Sequence, residues 1–419
     1  MLLVIVPTLR PTVSMHQKKV DEDMRKPIIK AFVVATAAAL LLSACSSSSA
    51  EAEPGATFDG EILVAVIADL TGGQSATQAT AAGGFEAAVD AINAAGGIGG
   101  KKVVMTTYDS LSTPEGVQTA ARQAAAEEPS FIAFAAGSSG LVGAQAVFAQ
   151  AGIPLFSVSA AGALLFDDPQ EWYFTVGSTP PQLANSILGA AEQTLDTLDG
   201  AKFAFHGLDS STINGLWAEL TPLLEAEGAE VVDVQKSTVG APITNYTAQA
   251  QKFVELDADA VVVFDLSENF PIVVEAIADA GFEGPVLGGE PTSTDTMFER
   301  LANERYFGGR ALDDARSGSG AADAAKAAGV ASDGVYFPAG WVIGQIFAAA
   351  AAQVDGDVTA AALIEALENL GEINVPGDVT FGPVELSTDR HYAITTHQFF
   401  VWDAAAGEVV PFGTPVPLP

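Results

Sequence analysis

The sequence predicts an α/β protein of doubly wound parallel sheets, and three observations predict it. Short apolar runs alternate with helical patterns along almost the whole body of the chain. The runs are apolar at most positions, not at every second one, as in strands buried on both faces. They end in loops containing Gly and Ser, which places ligand groups at the carboxyl edge of each sheet. A length of 419 residues leaves room for two domains with sizeable cores.

The N-terminus stands apart from that body. Arg25, Lys26 and Lys30 form a basic cluster, followed by the apolar run "AFVVATAAALLL" from Ala31 to Leu42. The run is about half of the ~20 residues a membrane-spanning helix needs, so residues 1–44 read as a signal peptide with an upstream extension. Met24 is a candidate start alongside Met1. The chain's single cysteine, Cys45, cannot form an internal disulfide or share a metal with other thiolates. Leu42-Ser43-Ala44-Cys45 instead resembles the bacterial lipobox, which implies acylation of the Cys45 thiol and a mature chain that begins there. Residues 45–60 then read as a lipidated flexible tether, since "SSSSAEAEPGATFDG" is small, polar and punctuated by Pro and Gly. Later segments are too short for a span; "IFAAAAAQV" ends in Asp355. The expected location is the outer face of the cell membrane.

In the body, "ILVAVIA" (Ile62 to Ala68) reads as a buried strand. A helix is expected over Ala81 to Ala95, with Phe85, Ala88, Val89 and Ile92 on one face. "KVVMTTY" is the next strand, Pro114 opens the next helix in its first turn, and "FIAFAA" is a third strand. The beat returns in "AKFAFH", "AEVVDVQ", "DADAVVVFD" and "PVLGG".

Composition excludes several classes. Apolar residues make up 49% of the chain, too many for a disordered protein. Fifty-two acidic residues against 18 basic ones give a formal charge of -34. Such a surface repels nucleic acid and anionic headgroups, leaving the N-terminal lipid as the expected membrane contact. No G-x-S-x-G elbow occurs, and "GGIGGKK" lacks the spacing and final Ser/Thr of a P-loop. His206 is expected to end a strand, and His391 and His397 to share one; none has the clustered Cys or acids of a metal site. Asn245, within the sequon pattern Asn245-Tyr246-Thr247, is expected to cap the following helix. Neither enzyme chemistry, cofactor nor metal is expected.

At the candidate site, "GSSG" (Gly137 to Gly140) follows a strand and opens a helix. Backbone N–H groups and two hydroxyls there suit a carboxylate; equally, Ser138 or Ser139 could cap the helix. Glu290 ends an apolar strand among Gly288, Gly289 and Pro291, an unusual place for a solvated acid.

The segment "LTGG…GGFEAAVDAINAAGGIGGKKVVMTTYDSLSTPEGV" resembles the opening of the leucine/isoleucine/valine-type periplasmic binding proteins, receptors of branched-chain amino acid ABC importers. "GSSG", "AGIPLFS", "ITNYTAQAQKFVELDADAVVV", "LGGEP" and "DVTFGP" extend the match in order along the body. The resemblance implies a type I periplasmic binding protein fold, with two lobes joined by crossing strands and a ligand in the cleft. Lobe I would be 61–177 and 310–388, lobe II 178–309 and 389–419, with the hinge near 177, 310 and 388. It implies that Ser138, Ser139 and Ser159 meet a ligand's α-carboxylate and that Glu290 pairs with its α-ammonium. Ala161 departs from the usual Thr there. Thr77, Thr212 and Leu266 stand where relatives often carry aromatics, and Tyr336 fills a usually aromatic position where a core role also fits. A pocket so changed differs in size or polarity from one built for leucine, and the expected solute is a small amino acid or related amide. The resemblance implies a monomer that delivers its solute to an ABC permease and ATPase. The alternative is a sensor of the same fold that passes its closed state to a signalling partner.

Overall fold

The computed structural model describes residues 58–238, 241–314, 319–330, 332 and 336–419; the signal segment, Cys45 and nearly all of the tether lie outside the described residues. Strands β1 (Glu61–Ala68), β2 (Lys102–Asp109), β3 (Phe131–Ala135), β4 (Leu155–Ser157) and β5 (Tyr173–Thr175) form a parallel sheet in the order β2-β1-β3-β4-β5. Helices α1 (Ser75–Ala94), α2 (Pro114–Ala126), α3 (Ser138–Gly143) and α4 (Gln145–Ala151) connect these strands. The winding is double: Val64, Val66 and Ala68 of β1 face one core with α1, while Ala65 and Ile67 face another with α2.

The second sheet repeats the plan. Strands β6 (Lys202–Leu208), β7 (Glu230–Ser237), β8 (Ala260–Phe264), β9 (Val286–Gly288) and β10 (Tyr306–Arg310) are parallel to one another. They are joined through α6 (Ser211–Ala226), α7 (Thr247–Glu255), α8 (Phe270–Asp279) and α9 (Asp295–Leu301), and α5 (Pro180–Thr194) leads into them. Val261 and Val263 of β8 face one core, Ala260 and Val262 the other. Helices α10 (Gly320–Ala328), α11 (Tyr336–Ala351) and α12 (Ala360–Glu368) return to the first lobe, where α10 and α11 pack near α1. The ladder β11 (Gly371–Ile373) with β12 (Val384–Leu386) follows. Antiparallel β13 (Thr396–Asp403) and β14 (Glu408–Pro417) then extend the second sheet, in the order β14-β13-β10-β9-β8-β6-β7.

Close backbone approach fixes how α1 meets α11. A Cβ on Gly84 would lie 2.1 Å from the Phe337 carbonyl oxygen, and one on Gly340 would lie 1.9 Å from that of Ala81. Only glycine lets the two helices touch there.

Helix α1 starts at Ser75, six residues before the expected Ala81. Its apolar face begins later, but the buried carboxylate of Asp69 fixes the preceding turn, accepting the N–H groups of Gly72 (2.6 Å) and Gln74 (2.7 Å). Tertiary hydrogen bonding therefore overrides periodicity at this end. Elsewhere local signals act as written. Thr113 caps α2 through the Gly116 N–H at 3.0 Å with Pro114 first in the helix. Thr179 and Gln182 form a capping box at α5, with Pro180 first. Such caps are each worth about 1 kcal/mol.

Segments pass between the lobes at 176–179, 311–313 and 392–395. On the first, the Val176 N–H reaches Ser157 O in the first sheet, and Thr179 already caps α5 of the second lobe. Ala311–Asp313 leave β10, and the Asp313 N–H meets Val379 O at 3.0 Å. The third runs from the Ala393 N–H on Thr175 O (2.8 Å) to β13.

Candidate ligand-binding site

The carboxyl edges of the two sheets face one cleft of about 270 Å³. In doubly wound sheets this edge is where ligands bind. From the first lobe come Ser138, at the start of α3 after β3, and Ser159, in the loop after β4. From the second come Thr212, in the first turn of α6, and Glu290, in the loop after β9; Tyr336, first residue of α11, also lines the space. Val158, Val176, Leu183, Ile213 and Leu312 give it aliphatic walls. Five of the eight sequence-derived site residues thus meet in one cavity. A larger concavity of about 710 Å³ beside Pro129, Ser130 and Val358 lies at the amino edge of the first sheet, the wrong end for such a fold.

Three of the eight do not line the cleft. Thr77 belongs to the first turn of α1, where its hydroxyl bonds back to the Gln74 carbonyl at 3.0 Å, because that helix starts early. Ser139 is exposed on the next position of α3, turned from the cleft that Ser138 faces. Leu266 builds the turn into α8, its carbonyl accepting the Asn269 and Phe270 N–H groups. Neither serine caps α3: Gly137 is the cap residue, without a side-chain bond.

Glu290 is the charged group of the cleft, and it is fastened. Its Oε1 accepts the Ala311 N–H at 2.9 Å, on a segment that crosses between the lobes. Burial pushes its carboxyl up from the ordinary 4.5 to about 7, opposed by the N–H groups of Ala311 and Leu312 and by the Arg310 charge. Asp314 adds to the rise, and the phenol of Tyr336 is raised by burial and by Glu290 itself. Arg310 is fully buried, stacked over Phe400 at 4.3 Å and bonded to Asp295 at 2.5 Å. A carboxylate so desolvated gains from a cationic partner in the cleft.

The loop bearing Ser159 is fixed from behind. The Ser157 hydroxyl donates to Ser159 O at 2.7 Å, and the buried Tyr173 hydroxyl donates to the same oxygen at 3.1 Å. The backbone is pinned while the Ser159 side chain remains at the cavity wall.

The sequence pattern of the family described as "Periplasmic binding protein" matches residues 61–408. The chain belongs to that family. A Leu/Ile/Val-binding protein homolog 3 of Brucella melitensis is 26% identical over 233 residues, 56% of this chain and 62% of that protein. The match therefore spans less than two thirds of the relative's length. Among solved structures, an ABC transporter substrate-binding protein from Sphaerobacter thermophilus superposes with a TM-score of 0.73 at 20% identity, covering 85% of this chain and 98% of that one. A branched-chain amino acid transporter substrate binding protein from Streptococcus pneumoniae in complex with isoleucine gives 0.67 at 19%, covering 85% and 99%. A fatty acid ABC transporter substrate-binding protein from Thermomonospora curvata also gives 0.67, at 15%, covering 86% and 93%. At these identities the structures establish the two-lobed fold.

The family's description is that of a binding protein of the periplasm. No helix among the described residues is long and apolar enough to cross a membrane, and no group of three His, Cys, Asp or Glu there could hold a metal. The histidines have other partners. His206 lies inside β6, not at its end, and bonds Asp265 at 2.7 Å and the Tyr246 hydroxyl at 2.8 Å. His391 precedes β13 and stacks on Phe174 at 4.2 Å, so it does not share a strand with His397. Asn245 is not the cap of α7 expected for it: Tyr246 holds that position without a side-chain bond, and Asn245 one residue earlier accepts the Thr247 N–H at 3.0 Å. Ser178 and Ser210 are cleft residues that sequence reasoning missed. The signal for Ser178 was its place beside the expected hinge at 177.

Proposed function

We propose that this periplasmic binding protein is the lipid-anchored substrate receptor of an ABC importer. It takes a small amino acid or amino-acid-like solute between two lobes that meet at the crossing segments 176–179, 311–313 and 392–395. It then closes and delivers the solute, as a monomer, to a permease driven by its ATPase. Ser138 and Ser159 receive the carboxylate, Glu290 the ammonium, and Thr212 and Tyr336 flank the side chain. Cys45 carries the lipid. The observation that carries this reading is Glu290, desolvated in the cleft and facing hydroxyls presented by the other lobe. Two further points support it. The Brucella relative is named for leucine, isoleucine and valine, and the cleft volume falls just below the ~300–1,000 Å³ of drug-sized sites. A thermal-shift screen of the mature chain against amino acids, their amides and short peptides tests it. A ligand that binds only the folded state raises the melting temperature. Small amino acids should give the largest rise, and a rise confined to uncharged solutes would overturn the reading.

A further inference from the structure

Ser178 sits where the first crossing segment passes the cleft, and its hydroxyl lies 2.8 Å from Nε2 of His397 on β13. The other ring nitrogen, Nδ1, lies 2.8 Å from the hydroxyl of Ser186 in α5. His397 and Ser186 are buried, whereas Ser178 is partly open to the cavity. Burial pushes the His397 imidazole down to about 3, so at neutral pH the ring is uncharged and has a single N–H. A neutral imidazole donates from one nitrogen and accepts at the other. It must therefore treat the two serines oppositely.

The core decides which way round. Among the described residues, His397 Nδ1 is the acceptor within reach of the Ser186 hydroxyl. Were Nδ1 protonated, the buried Ser186 O–H would lose the side-chain acceptor it has in the fold, a costly arrangement. The favoured order is Ser186 O–H to Nδ1, then Nε2–H to the oxygen of Ser178. That order leaves the Ser178 proton free to donate into the cleft that this residue lines.

We propose that Ser178 is a ligand-contacting donor of the cleft, held in that polarity by His397 acting as a positioning residue through a chain that ends on Ser186. It rests on the amino-acid reading of the cleft, because the acceptor it would meet is a carboxylate or carbonyl oxygen of the solute. As Ser178 lies on a crossing segment, this contact would bind the solute at the hinge itself, not at either lobe.

Two measurements test it. The first needs no ligand: ¹⁵N spectra of ring-labelled protein, with the His397 signals assigned by their loss in His397→Gln. A protonated Nε2 and an accepting Nδ1 are expected, and a protonated Nδ1 would overturn the assignment. The second is calorimetric titration with L-alanine and L-leucine. Ser178→Ala should weaken whichever binds by roughly ten- to a hundredfold, the range for a hydrogen bond to a charged group, with the unligated melting temperature little changed. His397→Gln, which can still donate to Ser178, should bind more tightly than His397→Leu. Unchanged affinity in Ser178→Ala would overturn the proposal. A wild type that binds neither amino acid would remove the amino-acid reading, and the donor assignment would then stand or fall on the His397 spectrum.

Discussion

Glu290 Oε1 accepts the backbone N–H of Ala311 at 2.9 Å, so the acid that faces the cleft is tied to a segment linking the lobes. Under the proposed function, a ligand cation that draws on Glu290 would act on this linking segment as well as in the pocket. Domain closure pivots on a few such residues.

The first consequence is for affinity. Glu290→Gln keeps the side-chain shape and removes the charge, leaving a bound ammonium without its partner in a desolvated cleft. Loss of one member of such a pair typically costs ~2–5 kcal/mol, or roughly 30- to several-thousandfold in Kd. Ser138→Ala should lose less, since it removes one hydroxyl and no charge. Calorimetric titration with an amino acid ligand measures both. A Glu290→Gln protein that binds as tightly as wild type would show that no ammonium sits there.

The second is for pH. Glu290 is held near 7 in the unligated fold, above the ordinary 4.5. The folded state thus binds its proton more tightly than the unfolded chain, and this group's contribution to stability falls as pH rises from about 4.5 to about 7. A ligand ammonium favours the ionised form. Affinity should accordingly rise with pH up to about 7, and binding near that pH should release a fraction of a proton. Titrations in buffers of different ionisation enthalpy read that release; proton uptake, or no linkage at all, would contradict the ammonium contact.

The third concerns the α1–α11 contact. Gly340→Ala forces a methyl onto the Ala81 carbonyl, where a backbone atom and not a flexible side chain must move. Overpacking of this kind costs ~1–3 kcal/mol. Gly73→Ala, at an exposed position with nothing within 4 Å, serves as the control. Urea unfolding should show a lower midpoint for Gly340→Ala and little change for Gly73→Ala. Equal midpoints would mean that the helices are not in backbone contact.

The fourth concerns the anchor. Cys45→Ser should abolish incorporation of a labelled fatty acid and leave the precursor uncleaved or released. Equal label on mutant and wild type would remove the lipidation reading.

How far this molecule was legible depends on the range of the forces involved. Strands such as Ile62 to Ala68 and helices such as α2, with Thr113 and Pro114 at its start, carry their own signals in periodicity and capping. Glu290 and Ser138 were legible because an acid or a Gly-Ser loop directly after an apolar strand marks the carboxyl edge of a sheet. Thr77 was misplaced because the start of α1 depends on Asp69 reaching Gly72 and Gln74 across a turn. Leu266 was misplaced because its backbone is spent on the turn into α8.

By itself, then, the sequence determined the alternation of strands and helices, parallel sheets covered on both faces, and the loops at their carboxyl edges. Burial of apolar runs and local capping are properties of neighbouring residues, and they can be read along the chain. Only the tertiary structure decided that Ser178 meets His397 across 219 positions, that Glu290 is tied to Ala311, and that the two glycines let α1 touch α11. Hydrogen bonds and close contacts between distant segments leave no periodic trace. They exist only once the crossing segments bring the two lobes to a common edge.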